Sequence, residues 1–563
     1  YDVKRATMHL WETINGERLY DTIHWTPYVY LKDIKGDTKT IDGISVSKME
    51  FDTFYDHFDF CRKRFDGVYE NKVKPEIQFL TERYYKIPDE ELEVPQLLTY
   101  TIDIEVHCEV GFPLAHIADW PVVCISIVNS VTKKIMVFGC KKYTGKKDIN
   151  FIYCPTEEDL LRRFFTYIYK NPCDVITGWG IMNFDIPYLI NRSNKVFGKD
   201  KRMFGLMSPV RNVRTWTSKT TGDFNIDIAG VHILDYYHLY RWYSPKKQES
   251  YKLEFVSTKE LEKGKVDYSQ YKDLPTLFHE NWDLYVDYNA VDSVRVDQLE
   301  DKLGYIRLVQ ALSLLTKCPM KHYASMTQLV EGAFLTHFRR NNLCAPPFVG
   351  GHQESFEAAY VKEPQKGMHK WVIATDIKSS YPSHIIALNI SIETYIGCIM
   401  FTEDQIINSM RKKEFQPFKM WKDENAVEFS DEKLENFNKM LKRGMVAIAP
   451  CGSVFLTGKT GVIAEVERKY FFKRQEIKTK MRKYKKHEDR YEELFSLQWA
   501  IKIFLNAIYG VTSVPYSRLF NLNIAEAITS CGRHTIKSGD RFVNNLLNKP
   551  NEELLNILRE IDK

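Results

Sequence analysis

The chain has 563 residues, 44% hydrophobic and 27% charged, which is globular composition with ample core material and excludes a disordered chain. No apolar run approaches the ~18 residues of a membrane span, so no membrane association is expected, and a net charge of only +5 leaves any nucleic-acid role to local charge placement. Eleven scattered cysteines without a CxxC pair argue against a zinc knuckle or disulfide framework and for a reducing, cytoplasmic setting.

No repeat or low-complexity tract divides the chain, so the layout follows shifts in pattern. Residues 1–96 are aromatic-rich and short-patterned, which predicts strands with a few helices. From 97 to 306, apolar strand-like runs (TYTIDIEV, PVVCISIV, VITGW, VHILDYY) alternate with helical stretches such as EEDLLRRFFTYIYK, the pattern of an α/β layer with a mixed sheet. Residues 307–350 are helical and mildly basic, 351–460 are strand-rich around KWVIATDIKSSYPS, and 461–514 read as two helices joined by a charged segment. The remainder is helical again. The predicted fold class is therefore α/β multidomain.

TYTIDIEVH alternates strictly, with Tyr100, Ile102, Ile104 and Val106 on one face and Thr101, Asp103 and Glu105 on the other. Taken alone, such a pair of acids is the wet face of an edge strand. Asp185 follows a Gly-containing turn after the run VITGW, where the commonplace role is a helix N-cap. Asp292 lies four residues after Tyr288, so on a helix the phenol and the carboxylate share a face, but Asp283 and Asp287 form an equivalent pair and the segment alone does not choose. Four acids converging from separate elements would repel one another without cations, and oxygen ligands suit Mg²⁺ or Mn²⁺. Two such ions can activate a water and stabilise the leaving oxygen of a phosphodiester, with a tyrosine orienting the water, which makes a nuclease.

In KWVIATDIKSSYPSHI an apolar strand is expected to end at Asp376, with a turn and a helix start after it. Asp376, Ser379 or Ser383 can serve simply as an N-cap. The functional alternative makes Asp376 a metal ligand, turns the backbone N–H groups of the following turn toward a triphosphate, and lays Tyr381 under a sugar, excluding a 2′-hydroxyl by bulk. Residues 468–487 hold ten Lys and Arg with Glu476 the only acid, and most are solvated helix face. Arg474, Lys478 and Arg482 nevertheless recur every four residues as a cationic stripe. On the next helix, LQWAIKIFLNAIYG, Gln498, Lys502, Asn506 and Tyr509 share one face while Ile501, Phe504, Leu505 and Ile508 supply the core side. Two antiparallel helices presenting cations read as a nucleotide clamp.

This ordered set resembles family B DNA polymerases with a proofreading 3′→5′ exonuclease, most of all the T-even bacteriophage type, over essentially the whole chain. DIEVHCEVGFP, GWGIMNFDIPYL and YNAVD resemble the three exonuclease motifs, which implies Asp103, Glu105, Asp185 and Asp292 as ligands of two Mg²⁺ or Mn²⁺ ions and Tyr288 as the water-orienting residue. DIKSSYPS resembles polymerase motif A, implying Asp376 as catalytic ligand, Tyr381 as sugar gate, and Ser379 and Ser380 at the nucleotide. KRQEIK and KIFLNAIYG carry over Arg474 and Lys502 as contacts to the dNTP triphosphate, with Asn506 and Tyr509 at the nascent pair. The implied domains are 1–96 with 307–350 as an N-terminal domain, 97–306 as an RNase H-like exonuclease, 351–460 and 515–563 as palm, and 461–514 as two-helix fingers.

Three positions depart from the pattern: Gly180 stands where Asn is common, Ser380 replaces a Leu before the gate tyrosine, and Ala507 replaces a Ser. No Asp-x-Asp-Ser hairpin, the family's motif C, occurs after Gly510. The resemblance therefore implies a phage replicative polymerase of which this chain carries exonuclease, fingers and half a palm, with a second polypeptide supplying motif C, the thumb and any contact to a sliding clamp. Primer–template DNA, and single-stranded DNA at the exonuclease site, are the implied partners. The alternative is a stand-alone 3′→5′ exonuclease with a decayed polymerase half. An apolar stripe at Leu554, Leu555, Leu558 and Ile561 is expected to mark an interface.

Overall fold

The computed structural model describes residues 6–550 and Glu553, apart from 15–16, 65–66, 90, 92–93, 146–147, 200–201, 220–221, 223, 245, 265, 349, 351–355, 365, 369–375, 423–424 and 487. The chain divides into two units: Tyr1–Trp25, Asp89–Leu314 and Pro319–Ala324 form one, and Thr26–Pro88, Leu315–Cys318 and Ser325–Lys563 the other.

The first unit is built on a six-stranded mixed sheet. Its β-branched-rich central strand, Thr99–Val106, runs antiparallel to Val122–Asn129 on one side and parallel to Val175–Thr177 on the other. Ile135–Gly139 and Asn150–Tyr153 extend the sheet beyond Val122–Asn129, and His232–Ile233 closes the opposite edge. On one face, Tyr100, Ile102 and Ile104 pack with Phe164 and Phe165 of helix Glu157–Lys170 and with Ile186 and Leu189 of helix Asp185–Phe197. Each such fully buried side chain contributes about 1.5–3 kcal/mol. Thr156 starts the first of these helices by accepting from the Asp159 N–H at 3.1 Å.

The other face is not wet. The long helix Trp282–Leu303 covers it, setting Tyr285, Val286 and Ala290 against Val123, Cys124 and Val137. The alternation in TYTIDIEV does separate an apolar face from a carboxylate face, but the carboxylate face lies beneath a helix, and even Thr101 is buried. That covering brings residues of the long helix to the acids of the strand.

In the second unit, a four-stranded sheet containing Tyr28–Lys32 is tied to helix Met326–Arg340 through Arg339. The buried guanidinium donates to Glu70, to Glu82 at 2.7 Å and to the Tyr28 hydroxyl at 2.9 Å. Removing one partner from such a buried pair costs about 3–5 kcal/mol. A five-stranded antiparallel sheet follows, in the order Asn425–Phe429, Phe418–Lys422, Tyr395–Ile399, Ser453–Leu456, Val446–Ile448.

Helices Val462–Met481 and Asp489–Thr512 lie side by side. Tyr470 meets Phe504 with ring centroids 5.0 Å apart, and Arg474 meets Gln498, so the pairing runs backward along the second helix and the two are antiparallel. By length and composition alone, Arg490–Thr512 is long and apolar enough to cross a membrane, with 56% of its 18-residue apolar window buried within the protein. An expectation based on unbroken runs does not register it, because Gln498, Lys502 and Asn506 interrupt the apolar sequence. Helix Leu522–Leu547 follows. The strand expected at KWVIAT and the stripe at Leu554, Leu555, Leu558 and Ile561 lie outside the described residues.

Candidate functional site

Asp103 and Glu105 leave the central strand on the same side, opposite Ser126 and Cys124 of the neighbouring strand, and the register shifts just after Glu105. Such a bulge re-aims the chain beside a site. Asp185 is the first residue of its helix, and Phe184 before it provides no side-chain cap. Its carboxylate reaches instead to the central strand, where Oδ1 accepts from the Ile104 N–H at 3.1 Å, between the two acids in sequence. Gly178 permits that approach, since a Cβ there would lie 2.5 Å from the Ile102 carbonyl oxygen. Gly180 has φ +79°, a left-handed conformation that Gly adopts without cost and Asn tolerates, so the departure at this position leaves the turn intact.

The covering helix supplies Asp292 and, one turn earlier, Tyr288, whose ring stands edge-on to Tyr268 at 5.4 Å. The choice left open by the sequence is resolved by contacts. Asp283 accepts from the Thr144 N–H and hydroxyl at 3.0 and 2.6 Å, Asp287 accepts from the Tyr143 hydroxyl at 2.8 Å, and Asp292 bears on Asp103. Burial, then the charges of Asp185, Glu105 and Asp292, hold the Asp103 carboxyl well above the usual carboxylate range. Burial likewise pushes Asp185 up to about 7 against the opposing Ile104 N–H bond. The Tyr288 phenol is kept protonated by burial and by Asp292, Glu105 and Asp103. An all-oxygen donor set whose burial and gathered charges raise its affinity for protons fits hard divalent cations.

Three residues at this site escape a reading of the sequence. Asn289, fully buried, donates from its amide to Asp103 Oδ2 at 2.6 Å. It is itself held by the Cys124 thiol on its Oδ1 at 3.3 Å and by the Ser126 hydroxyl on its carbonyl at 3.1 Å. Its position three residues before Asp292, hence on a shared face, was the available signal. Asp235, also buried, accepts from the backbone N–H groups of Gly180 at 2.9 Å and of Met182 and Tyr237 at 3.0 Å, fixing the turn that leads into Asp185. Phe112 is 76% exposed, with its ring 5.9 Å from that of Phe184 beside the same turn.

The second unit gathers cations. Burial and then Arg474, Lys378, Arg482 and Lys502 lower the proton affinity of Lys478, which places five basic groups in one field. Arg474 Nε donates to the Gln498 carbonyl at 3.3 Å, and Lys502 Nζ stands 4.6 Å from the Trp499 ring centroid. Tyr381 lies against Tyr509, with centroids 4.5 Å apart. Ser379 has φ 53° at the start of helix Ser380–Leu388 and makes no side-chain cap, and Ser380 pairs with His384 at 3.2 Å. Asp376 and Asn506 are exposed. Gln498 departs from the predicted polar stripe. It is buried at the end of the stripe where the helix meets Arg474. Lys378, between Asp376 and Tyr381, is the cation that the spacing argument missed.

Carboxylates gathered in one unit and cations in the other, on these sheets and helices, define a class that sequence comparison identifies. The chain belongs to DNA polymerase family B: the model of that family matches residues 319–561, and the model of the family's exonuclease domain matches residues 65–256. The chain is similar to the DNA-directed DNA polymerase of Escherichia phage RB69, 26% identical over 502 residues, covering 79% of this chain and 55% of that protein. The corresponding polymerase of Enterobacteria phage T4 is 25% identical over 452 residues, 71% of this chain and 47% of that protein. The DNA polymerase catalytic subunit of Alcelaphine herpesvirus 1 (strain C500) is 26% identical over 479 residues, 81% and 43% respectively. The chain thus spans about half the length of the curated relatives it matches. Asp103, Glu105 and Asp185 fall within the exonuclease match and Asp376 through Tyr509 within the polymerase match. Tyr288 and Asp292 lie between the two, and their place beside the other acids comes from the structure.

Proposed function

We propose that the first unit is a divalent-metal-dependent 3′→5′ exonuclease, RNase H-like in its strand order, serving a phage-type replicative DNA polymerase whose nucleotide site lies in the second unit. The observation that carries this reading is the convergence of Asp103, Glu105, Asp185 and Asp292 from three distant segments, with Tyr288 beside them. Two Mg²⁺ or Mn²⁺ ions held by these carboxylates would, when bound, supply Lewis-acid stabilisation of the phosphodiester and acidify a water. The protein's own part is positional. The Tyr288 hydroxyl, kept protonated, orients the water that attacks phosphorus. The bond to the 3′ oxygen of the penultimate nucleotide breaks, that oxygen takes a proton, and a nucleoside monophosphate leaves. Asn289 holds Asp103, Asp235 holds the turn before Asp185, and Phe112 offers a face on which a frayed base can stack. Mismatched ends fray more readily, which favours their removal.

In the second unit, Arg474, Lys478 and Lys502 would grip the dNTP triphosphate. The backbone at Ser379 and Ser380 would face its phosphates, Tyr381 against Tyr509 would form the floor under the sugar, and Asn506 would face the nascent pair. Residues 351–460 and 515–563 then act as palm, 461–514 as fingers, and 1–96 with 307–350 as the N-terminal domain, of which Tyr1–Trp25 and residues 89–96, 307–314 and 319–324 fall in the first unit. Asp376 supplies one palm carboxylate. The second, absent as Asp-x-Asp-Ser after Gly510, is assigned to polypeptide outside these 563 residues, together with the thumb and any sliding-clamp contact. An end-labelled primer–template with Mg²⁺, with and without dNTPs, tests both halves. Primer shortening in both lanes is expected. No shortening of the 3′ end would sink the exonuclease assignment, and extension with dNTPs would show that a second palm carboxylate is already present.

A further inference from the structure

We propose that His107, Glu109 and His279 form a second metal site on the first unit, separate in chemistry from the acid cluster and selective for a borderline transition ion, Zn²⁺ foremost. His107 directly follows the central strand, and Glu109 lies two residues on. His279 sits near the end of helix Leu274–Glu280, which leads into the helix carrying Tyr288 and Asp292. One potential ligand atom from each of the three lies within 4.8 Å of the other two. His107 Nε2 is 3.3 Å and His279 Nε2 3.9 Å from Glu109 Oε1. Tetrahedral zinc with bonds of about 2.0–2.2 Å sets its ligand atoms about 3.3–3.6 Å apart, so closure asks only small side-chain adjustments.

The rings are already oriented. His107 stacks on Phe278 at 4.1 Å with 27° between planes, and His279 meets its edge at 5.0 Å and 81°. The side chains of Glu109 and His279 are 60% and 57% exposed, leaving an entry path and a fourth position for water. Two imidazoles and one carboxylate suit Zn²⁺, Co²⁺ or Cu²⁺, whereas Mg²⁺ prefers oxygen alone. Lys141 opposes a cation here, but its ammonium is engaged on Phe278, donating to the carbonyl at 2.8 Å and lying 3.7 Å from the ring centroid, and Glu109 offsets its charge. Bound, the ion staples the end of the strand bearing Asp103 and Glu105 to the segment that enters the Tyr288 helix. The site therefore positions the two sources of the acid cluster without touching a substrate.

The test uses the full chain, stripped by chelator and returned to excess Mg²⁺ so that the carboxylates are loaded, then titrated with Co²⁺ and back-titrated with Zn²⁺. Expected are a visible d–d absorption of low-coordinate Co²⁺ at one equivalent, its loss on adding one equivalent of Zn²⁺, and a rise in melting temperature with Zn²⁺. His279→Ala, at an exposed position, should keep the fold by circular dichroism, abolish the absorption and weaken Zn²⁺ binding by more than ~10-fold, a loss that even supporting residues of metal sites cause. His107→Gln should do the same. An absorption that persists in His279→Ala, or that vanishes only in Asp103→Ala, would place the ion at the acid cluster and overturn the proposal. So would its absence from folded wild-type protein.

Discussion

The acid cluster of the first unit and the cation field of the second are built on opposite logic of exposure. Asp185 and Asp292 are buried, and burial with the charges of Asp185, Glu105 and Asp292 raises the proton affinity of Asp103, so the protein bears a folding cost for charges it holds out of water. Arg474, Lys478 and Lys502 are only half-buried, and solvent screens much of their mutual repulsion. On the proposed reading, the two settings suit different ligands. A compact dication can enter a buried oxygen cage and neutralise it, whereas a long flexible polyphosphate needs cations it can reach from solvent.

Asp103→Asn separates the two regions most sharply. It should lower 3′→5′ exonuclease turnover by at least about 10²–10³-fold, the scale of losing one group that stabilises developing charge. It should also raise the melting temperature of the metal-free protein, because it removes a repelled carboxylate while keeping an acceptor for Asn289. A melting temperature that falls would mean the acids do not repel as described. Arg474→Ala should leave exonuclease turnover unchanged and weaken Mg·dNTP binding about 10- to 100-fold, measured by calorimetry, as expected for a charge-assisted hydrogen bond of about 1.5–3 kcal/mol. Asn289→Ala should lower exonuclease kcat about 10-fold with little change in KM, because the residue positions Asp103 and touches no substrate. An effect confined to KM would make it a binding residue.

The smallest effect concerns Glu467, a buried acid on helix Val462–Met481, which also carries the half-buried Arg474 and Lys478. It is fully buried, neither carboxylate oxygen has a hydrogen-bond partner among the described residues, and burial pushes its carboxyl well above the ordinary glutamate value of 4.5. The folded state binds the proton more tightly than the unfolded one. Its contribution is therefore fully present below 4.5 and is lost as pH rises toward the folded value. Urea unfolding should show stability declining across that window by up to about 1.4 kcal/mol per pH unit, and Glu467→Gln should flatten the decline. An unchanged slope in the variant would mean another group titrates.

What the sequence reveals about these regions depends on whether the relevant contacts are local. Asp103 and Glu105 are legible because a period of two declares a shared face within five residues. The antiparallel helix pair is legible because the apolar stripe of LQWAIKIFLNAIYG declares its buried side. Asn289 is legible only as a neighbour of Asp292 on one helix face, since what makes it matter is Asp103, 186 residues away and brought near by a helix crossing the sheet. Asp283, Asp287 and Asp292 look alike along the helix, and only the loop at Tyr143 and Thr144 claims the first two. Gln498 falls on the polar stripe by periodicity, yet periodicity does not say which end of a stripe another helix covers. His107, Glu109 and His279 come together across 172 residues, beyond any spacing rule.

On the proposed reading, the carboxylates on the covered face of the mixed sheet cut DNA from its 3′ end. The most direct measurement follows a 5′-labelled single strand incubated with the wild-type chain and with the Asp103→Ala, Glu105→Ala double variant, both in Mg²⁺ and both verified as folded. Stepwise shortening by the wild type and none by the variant is the expected result. Equal shortening by the two, or none by either, would contradict it.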